Sequence, residues 1–265
     1  MTQPPHDPDL HHDGRGTGQT GPAPVAASPP APSTLTAPPP APLSAARVFG
    51  PRLPVAEAFV AILADTGVSH GLIGPREVPI LWERHVLNCA VVNEAFPEAA
   101  EIVDVGSGAG LPGLALAIAR PDLHVHLVEP MLRRTTWLSD TISALGLDRV
   151  EVHRGRAEEF HGRLAVPYAT ARAVARIDKL ARWTFPLLKD GGTLVALKGS
   201  QAAEELAAEE PVLRRLGLVD AQVRSYGAQE LEVPTVTLEL TVGARPAGRR
   251  TSKGTTKAKS GRRRA

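Results

Sequence analysis

Four glycines within eight residues, set between a strand-like apolar run and a helix-like one, restrict this chain more than any other feature. The stretch reads Asp104-Val105-Gly106-Ser107-Gly108-Ala109-Gly110-Leu111-Pro112-Gly113. Glycine lets a turn bend tightly and lets a ligand approach backbone with no Cβ in the way. Read as G-x-G-x-x-G, Gly108, Gly110 and Gly113 fit a dinucleotide loop. On that pattern alone NAD and S-adenosylmethionine stay hard to separate.

Asp104 favours the second. A pyrophosphate at a helix amino terminus would meet an unwelcome carboxylate there. S-adenosylmethionine carries an ammonium and a sulfonium instead of phosphate, and a carboxylate at the strand end suits both. Glu129 ends the next strand-like run, about 20 residues on, where an acid accepts hydrogen bonds from a ribose diol. Glu158, after the third such run, is placed to read an adenine amino group or to stand as a solvated acid. Arg172 ends the fourth run at the same rim.

The periodicity supplies the frame. Strand-like runs fall at 102–105, 125–128, 150–153, 168–172, 193–197, 219–226 and 235–242, with helix-like stretches at 114–119, 131–145, 177–188 and 201–216. Such alternation implies a parallel sheet covered on both faces. The last two runs are joined too closely for a crossover helix and should pair antiparallel at one end. The expected fold is α/β, a Rossmann-like seven-stranded class I methyltransferase sheet. Before it, Val55, Phe59, Ile62 and Leu63 mark one helix and Leu81, Val86 and Val91 another over about 79–95, a helical cap at 44–96 ahead of the catalytic domain at 97–242.

Composition assigns the ends. Residues 1–43 hold 12 of the 25 prolines and little to bury, so a disordered tail is expected, in which the pair His11 and His12 is incidental. Residues 243–265 carry nine Lys and Arg and no acid, a second disordered tail suited to phosphate-rich polymers. One cysteine, Cys89, excludes an internal disulfide and, with no leader-like start, suggests the cytoplasm. No apolar run spans a membrane, and no metal site is expected.

Arg84-His85-Val86-Leu87-Asn88, the Gly-Leu-Pro-Gly ending of the glycine turn, Arg172-Ala173 and Ala196-Leu197-Lys198-Gly199 follow in order. With these the chain resembles the bacterial 16S rRNA guanine-N7 methyltransferases, the glucose-inhibited division protein B family, over roughly residues 53–242. The resemblance implies S-adenosylmethionine as methyl donor, contacted by Gly106, Leu111, Ala157, Glu158 and Arg172. It also implies a guanine in the 530 loop of 16S rRNA, free or in the small ribosomal subunit, as substrate. The family commonly has Asp at the position of Asn88 and Asn-Leu-Thr where this chain has Gly71-Leu72-Ile73. Guanine N7 has a free lone pair, so no general base is needed and none is evident. Arg84, His85 and Lys198 are the candidates for the reaction side, and Arg84, Arg133, Arg134 and Lys198 for RNA contact; His85 reads equally as a buried structural histidine. A monomer is expected. The rivals are a methyltransferase acting on another RNA, a protein or a small molecule, an NAD-dependent oxidoreductase, and a silent RNA-binding module.

Overall fold

The computed structural model describes residues 37–172 and 175–244. Most of both tails, with His11 and His12, lies outside them, as does Ala173. Seven strands form one sheet: β1 Glu101–Val105, β2 His124–Glu129, β3 Val150–Arg154, β4 Val166–Arg172, β5 Leu188–Lys198, β6 Leu218–Tyr226 and β7 Thr235–Val242. Their order is β3-β2-β1-β4-β5-β7-β6, with β1 to β5 parallel and β7 antiparallel to both neighbours. The expected closing hairpin is thus present, with β7 inserted beside β5 and β6 at the edge. Central strands such as β1 are buried on both faces and therefore read as continuous apolar runs. Edge strand β6 is exposed along most of its length and carries polar Gln222 between charged Asp220 and Arg224, which deter edge-to-edge pairing.

Helices α4 Gly113–Ala119, α5 Leu132–Leu145, α6 Ile177–Thr184 and α7 Ala202–Arg215 link the strands. The expected helix over 177–188 is shorter: α6 ends at Thr184, a 3-10 turn with Pro186 spans Phe185–Leu187, and β5 starts at Leu188. β5 tolerates this early start because Gly191 takes φ +75°, beside a register shift against β4.

The amino-terminal helices are α1 Leu43–Phe49 and α2 Leu53–Ile62. The helix expected over 79–95 is instead a 3-10 segment Pro75–Ile80, a π-helix Leu81–Leu87, a short α3 Asn88–Ala90 and a 3-10 turn Val91–Ala95. Its apolar stripe holds, since Leu81, Val86 and Val91 are all buried. Phe59, Leu63, Leu81 and Leu87 join Ile102, Leu114 and Leu127 in one core on one sheet face. A second core on the other face gathers Val103, Val105, Ile177, Leu194 and Leu238. The amino-terminal helices therefore share the sheet's own core, which fixes their height above the strand ends.

Candidate active site

The glycine turn leaves the end of β1 with Gly106 at φ +78° and Gly108 at φ +54°, conformations that favour glycine. Most of its amides are spent within the protein. Gly106 and Ser107 donate to the Val128 carbonyl, Gly110 and Leu111 to that of Ser107, and Leu114 to that of Gly110. Gly108 N–H donates to Glu129 Oε2 at 3.1 Å, and Gly113 N–H to Asp104 Oδ2 at 3.0 Å. Those donors are what a pyrophosphate would need. Gly113 is required for packing: a Cβ there would lie 2.4 Å from Leu127 Cδ2 and 2.8 Å from Asp104 Oδ2.

Asp104, expected beside a cationic ligand, lies fully buried beneath the turn. The reason is β-alternation: residue 104 shares a face of β1 with Ile102, and α4 covers that face. Burial pushes its carboxyl up to about 7, opposed by the Gly113 N–H and assisted by the negative Glu129. Oδ1 has no partner. A carboxyl that holds its proton to near neutrality lessens the cost of that orphaned atom.

At the carboxyl ends of β1, β2 and β3 opens a cleft of about 360 Å³, the position where α/β sheets bind ligands. Gly106, Glu129, Ala157 and Glu158 all line it, together with Val105, Val128, Met131, Arg134 and Trp183. Glu129 is 2% exposed, its Oε1 accepting from Met131 N–H at 3.0 Å. Each carboxylate oxygen thus takes one backbone bond and keeps a lone pair. The 3-10 turn Ala157–Phe160 sets Ala157 as a small floor and leaves Glu158 exposed. Arg134, grouped from sequence with the RNA contacts, lines this cleft instead, 3.6 Å from Glu129 Oε2, whereas Arg133 beside it is exposed. Leu111 is nearly buried in the first core. Met131 and Trp183 escape a sequence reading because apolar lining residues leave no motif.

A second, wider cleft of about 680 Å³ opens between the amino-terminal helices, the end of β5 and the β6–β7 connection. Arg84, Asn88 and Lys198 line it. Lys198 Nζ is held by Glu205 Oε1 at 2.9 Å and the Ala175 carbonyl at 3.1 Å, so it meets this cleft as part of an ion pair. Arg84 is exposed, with Nε 3.7 Å from Glu77. Asn88 Nδ2 donates to Thr235 Oγ1 at 2.7 Å, and that hydroxyl spends its one proton on the Asn88 carbonyl. Asn88 thus acts as donor through its side chain and as acceptor through its carbonyl toward the same hydroxyl, tying the segment Leu81–Ala90 to the start of β7.

Between the clefts, at the end of β4, Arg172 does not reach into either lining. It donates to His85 Nδ1 at 2.8 Å, to the Arg84 carbonyl at 3.2 Å and to Cys89 Sγ at 3.2 Å. His85 Nε2 lies 2.7 Å from Glu77 Oε2. Only the Nε2–H tautomer satisfies both neighbours, and burial lowers the histidine pKa, favouring that neutral form. The hydrogen bond from His85 in turn lowers the Glu77 carboxyl. His85 is half-buried in a structural arrangement, with both ring nitrogens engaged and neither available as a base. Glu77 carries no motif; only the fold brings it to His85.

The model of the GidB family, rRNA small subunit methyltransferase G, matches residues 52–233. The chain is 51% identical over 199 residues to ribosomal RNA small subunit methyltransferase G of Thermobifida fusca, covering 75% of this chain and 84% of that one. It is 49% identical over 225 residues to the protein of the same name from Streptomyces avermitilis, covering 84% and 90%. Among solved structures, the mitomycin 7-O-methyltransferase MmcR shares the fold, with a TM-score of 0.51 at 17% identity over 70% of this chain and 60% of that one.

Proposed function

The chain belongs to the rRNA small subunit methyltransferase G family, and from that membership we propose that it methylates N7 of a guanine in the 530 loop of 16S rRNA. It is an S-adenosylmethionine-dependent rRNA methyltransferase. The observation that carries the donor's place is the pairing of a glycine turn whose amides are mostly spent internally with a buried acceptor, Glu129, on the wall of an apolar cleft. A purine fits against Val105, Val128 and Ala157, a ribose diol fits the lone pairs of Glu129, and Glu158 stands at the exposed rim. A dinucleotide would find few loop amides to take its phosphates, so the oxidoreductase reading loses its anchor.

When bound, S-adenosylmethionine supplies an electrophilic methyl group on a sulfonium. The protein's part is to hold, orient and dry the site. Guanine N7 needs no proton removed, in keeping with a neutral His85 engaged at both nitrogens and a Lys198 tied to Glu205. Orientation alone can supply about 7–11 kcal/mol when attack geometry is held. We assign RNA binding to the wider cleft, with Arg84 and Asn88 on its wall, assisted by Arg133 and by the nine basic residues of 243–265. Glu205 neutralises Lys198, which keeps excess positive potential away from a base that must act as nucleophile. We place the enzyme, as a monomer, in the cytoplasm, where ribosomal subunits assemble; no helix among the described residues is long and apolar enough to cross a membrane.

Calorimetric titration tests the cofactor assignment. S-adenosylhomocysteine should bind the native chain and fail to bind Gly106→Asp, with NAD silent on both. Binding of NAD, or unimpaired product binding in the variant, would reject it.

A further inference from the structure

Away from both clefts, β2 and β3 each place charged or imidazole side chains at every second position on one sheet face. They are His124 and His126 on β2 and Glu151 and His153 on β3, with His126 directly opposite Glu151. Glu101 of β1 completes the group, level with His124. His126 is almost entirely covered, its side chain 7% exposed, which is unusual for a polar ring with no catalytic use.

Three atoms of the group converge. His126 Nδ1 lies 2.9 Å from His153 Nε2 and 3.8 Å from Glu151 Oε2, and the last two are 3.7 Å apart. A point equidistant from those three atoms lies about 2.0 Å from each, the bond length of zinc to imidazole nitrogen and carboxylate oxygen. The surrounding contacts orient each donor. Glu101 Oε1, 3.3 Å from His126 Nε2, fixes the Nε2–H tautomer and turns the lone pair of Nδ1 inward. Lys189 Nζ holds the other oxygen of Glu101 at 3.2 Å. His124 Nε2, 3.0 Å from Glu151 Oε1, engages that oxygen and leaves Oε2 for the centre. The Phe160 ring stands against His153 at 5.6 Å and limits its rotation. Carboxylate-backed histidines of this kind are the usual support of metal sites.

We propose that His126, Glu151 and His153 bind a divalent transition-metal ion, zinc by ligand preference, at a site separate from the methyl-donor cleft. Two nitrogens and one oxygen suit zinc above magnesium or calcium, and the 55% exposure of Glu151 leaves the fourth position to water. His153 stands two residues before Gly155, which lines the donor cleft, so the ion would brace the strand end from which Ala157 and Glu158 follow.

The test is competition for Zn²⁺ between a chromophoric chelator and the untagged full chain, stripped beforehand with EDTA. One ion per chain at micromolar affinity or tighter is expected, retained when His11 and His12 of the amino-terminal tail are both changed to Asn. His153→Asn and the exposed Glu151→Ala should each abolish it, and Glu101→Gln should weaken it about 10–100-fold. Binding of S-adenosylhomocysteine, measured on each variant, certifies the fold, and a variant that fails this control yields the decision to the other. Zn²⁺ should also raise the thermal midpoint of the native chain and of neither ligand variant. Failure of the native chain to bind at micromolar Zn²⁺, undiminished binding in a folded ligand variant, or binding that disappears with the tail histidines would overturn the proposal.

Discussion

Gly113 and Asp104 carry the turn between them, and each predicts something different. Alanine at 113 would drive a methyl into Leu127 and Asp104, an overpacked arrangement costing about 1–3 kcal/mol. Gly113→Ala should lower the denaturant midpoint accordingly and weaken S-adenosylhomocysteine binding; an unchanged midpoint would mean that α4 simply shifts away. For Asp104, the folded-state pKa near 7 lies above the ordinary 3.8, so the native state holds the proton more tightly than the unfolded chain. Stability from this group is therefore full at low pH and declines as pH rises through the interval from about 4 to 7, by at most about 1.4 kcal/mol per pH unit. Asp104→Asn, which cannot ionise, should gain on the native protein in thermal midpoint across that interval and hold a constant lead above it. A difference independent of pH would contradict the assignment. The turn itself was legible in the sequence because strand, glycines and helix occur in fixed order. The direction of the Asp104 side chain was not, because which face of β1 it takes depends on where α4 packs.

Among the elements, the π-helix Leu81–Leu87 is the least expected, and Arg172 explains it. Its guanidinium meets the Arg84 carbonyl and the His85 ring at the point where the helix widens. Lysine has neither the planar fork nor the reach to make these bonds together. Arg172→Lys should raise amide exchange through residues 81–90 while leaving β1 and β2 protected, measured by hydrogen–deuterium exchange. Equal protection in both proteins would show that the apolar stripe alone holds the segment. The central parallel strands could be read as short apolar, β-branched runs because they are buried on both faces, and the antiparallel β6 and β7 from β-branched residues flanking a connection too short for a helix. The division of 75–95 into 3-10, π and α turns could not, because a single helical period fits them all and tertiary packing against β4 and Thr235 decides.

At the scale of the molecule, charge is divided: residues 44–242 hold 20 Lys and Arg against 25 Asp and Glu, while residues 243–265 are purely basic. Deleting 243–265 should weaken rRNA binding and flatten its dependence on salt, by about 0.7–0.9 in log–log slope for each phosphate that is no longer neutralised. An identical slope would leave that segment without a part in RNA binding. The zinc cluster was hidden in the sequence for a related reason: His124-x-His126 and Glu151-x-His153 look like ordinary strand alternation until β2 and β3 lie side by side. In the function proposed above, donor cleft, RNA cleft and basic segment together deliver a methyl group to one purine nitrogen. The most direct measurement is the mapping of N7-methylguanine in 16S rRNA from cells with and without this protein, followed by restoration with the purified enzyme and S-adenosylmethionine. Loss of one N7-methylguanine in the 530 loop and its return on addition of enzyme are expected; a 530 loop equally methylated in both cell lines would contradict that function.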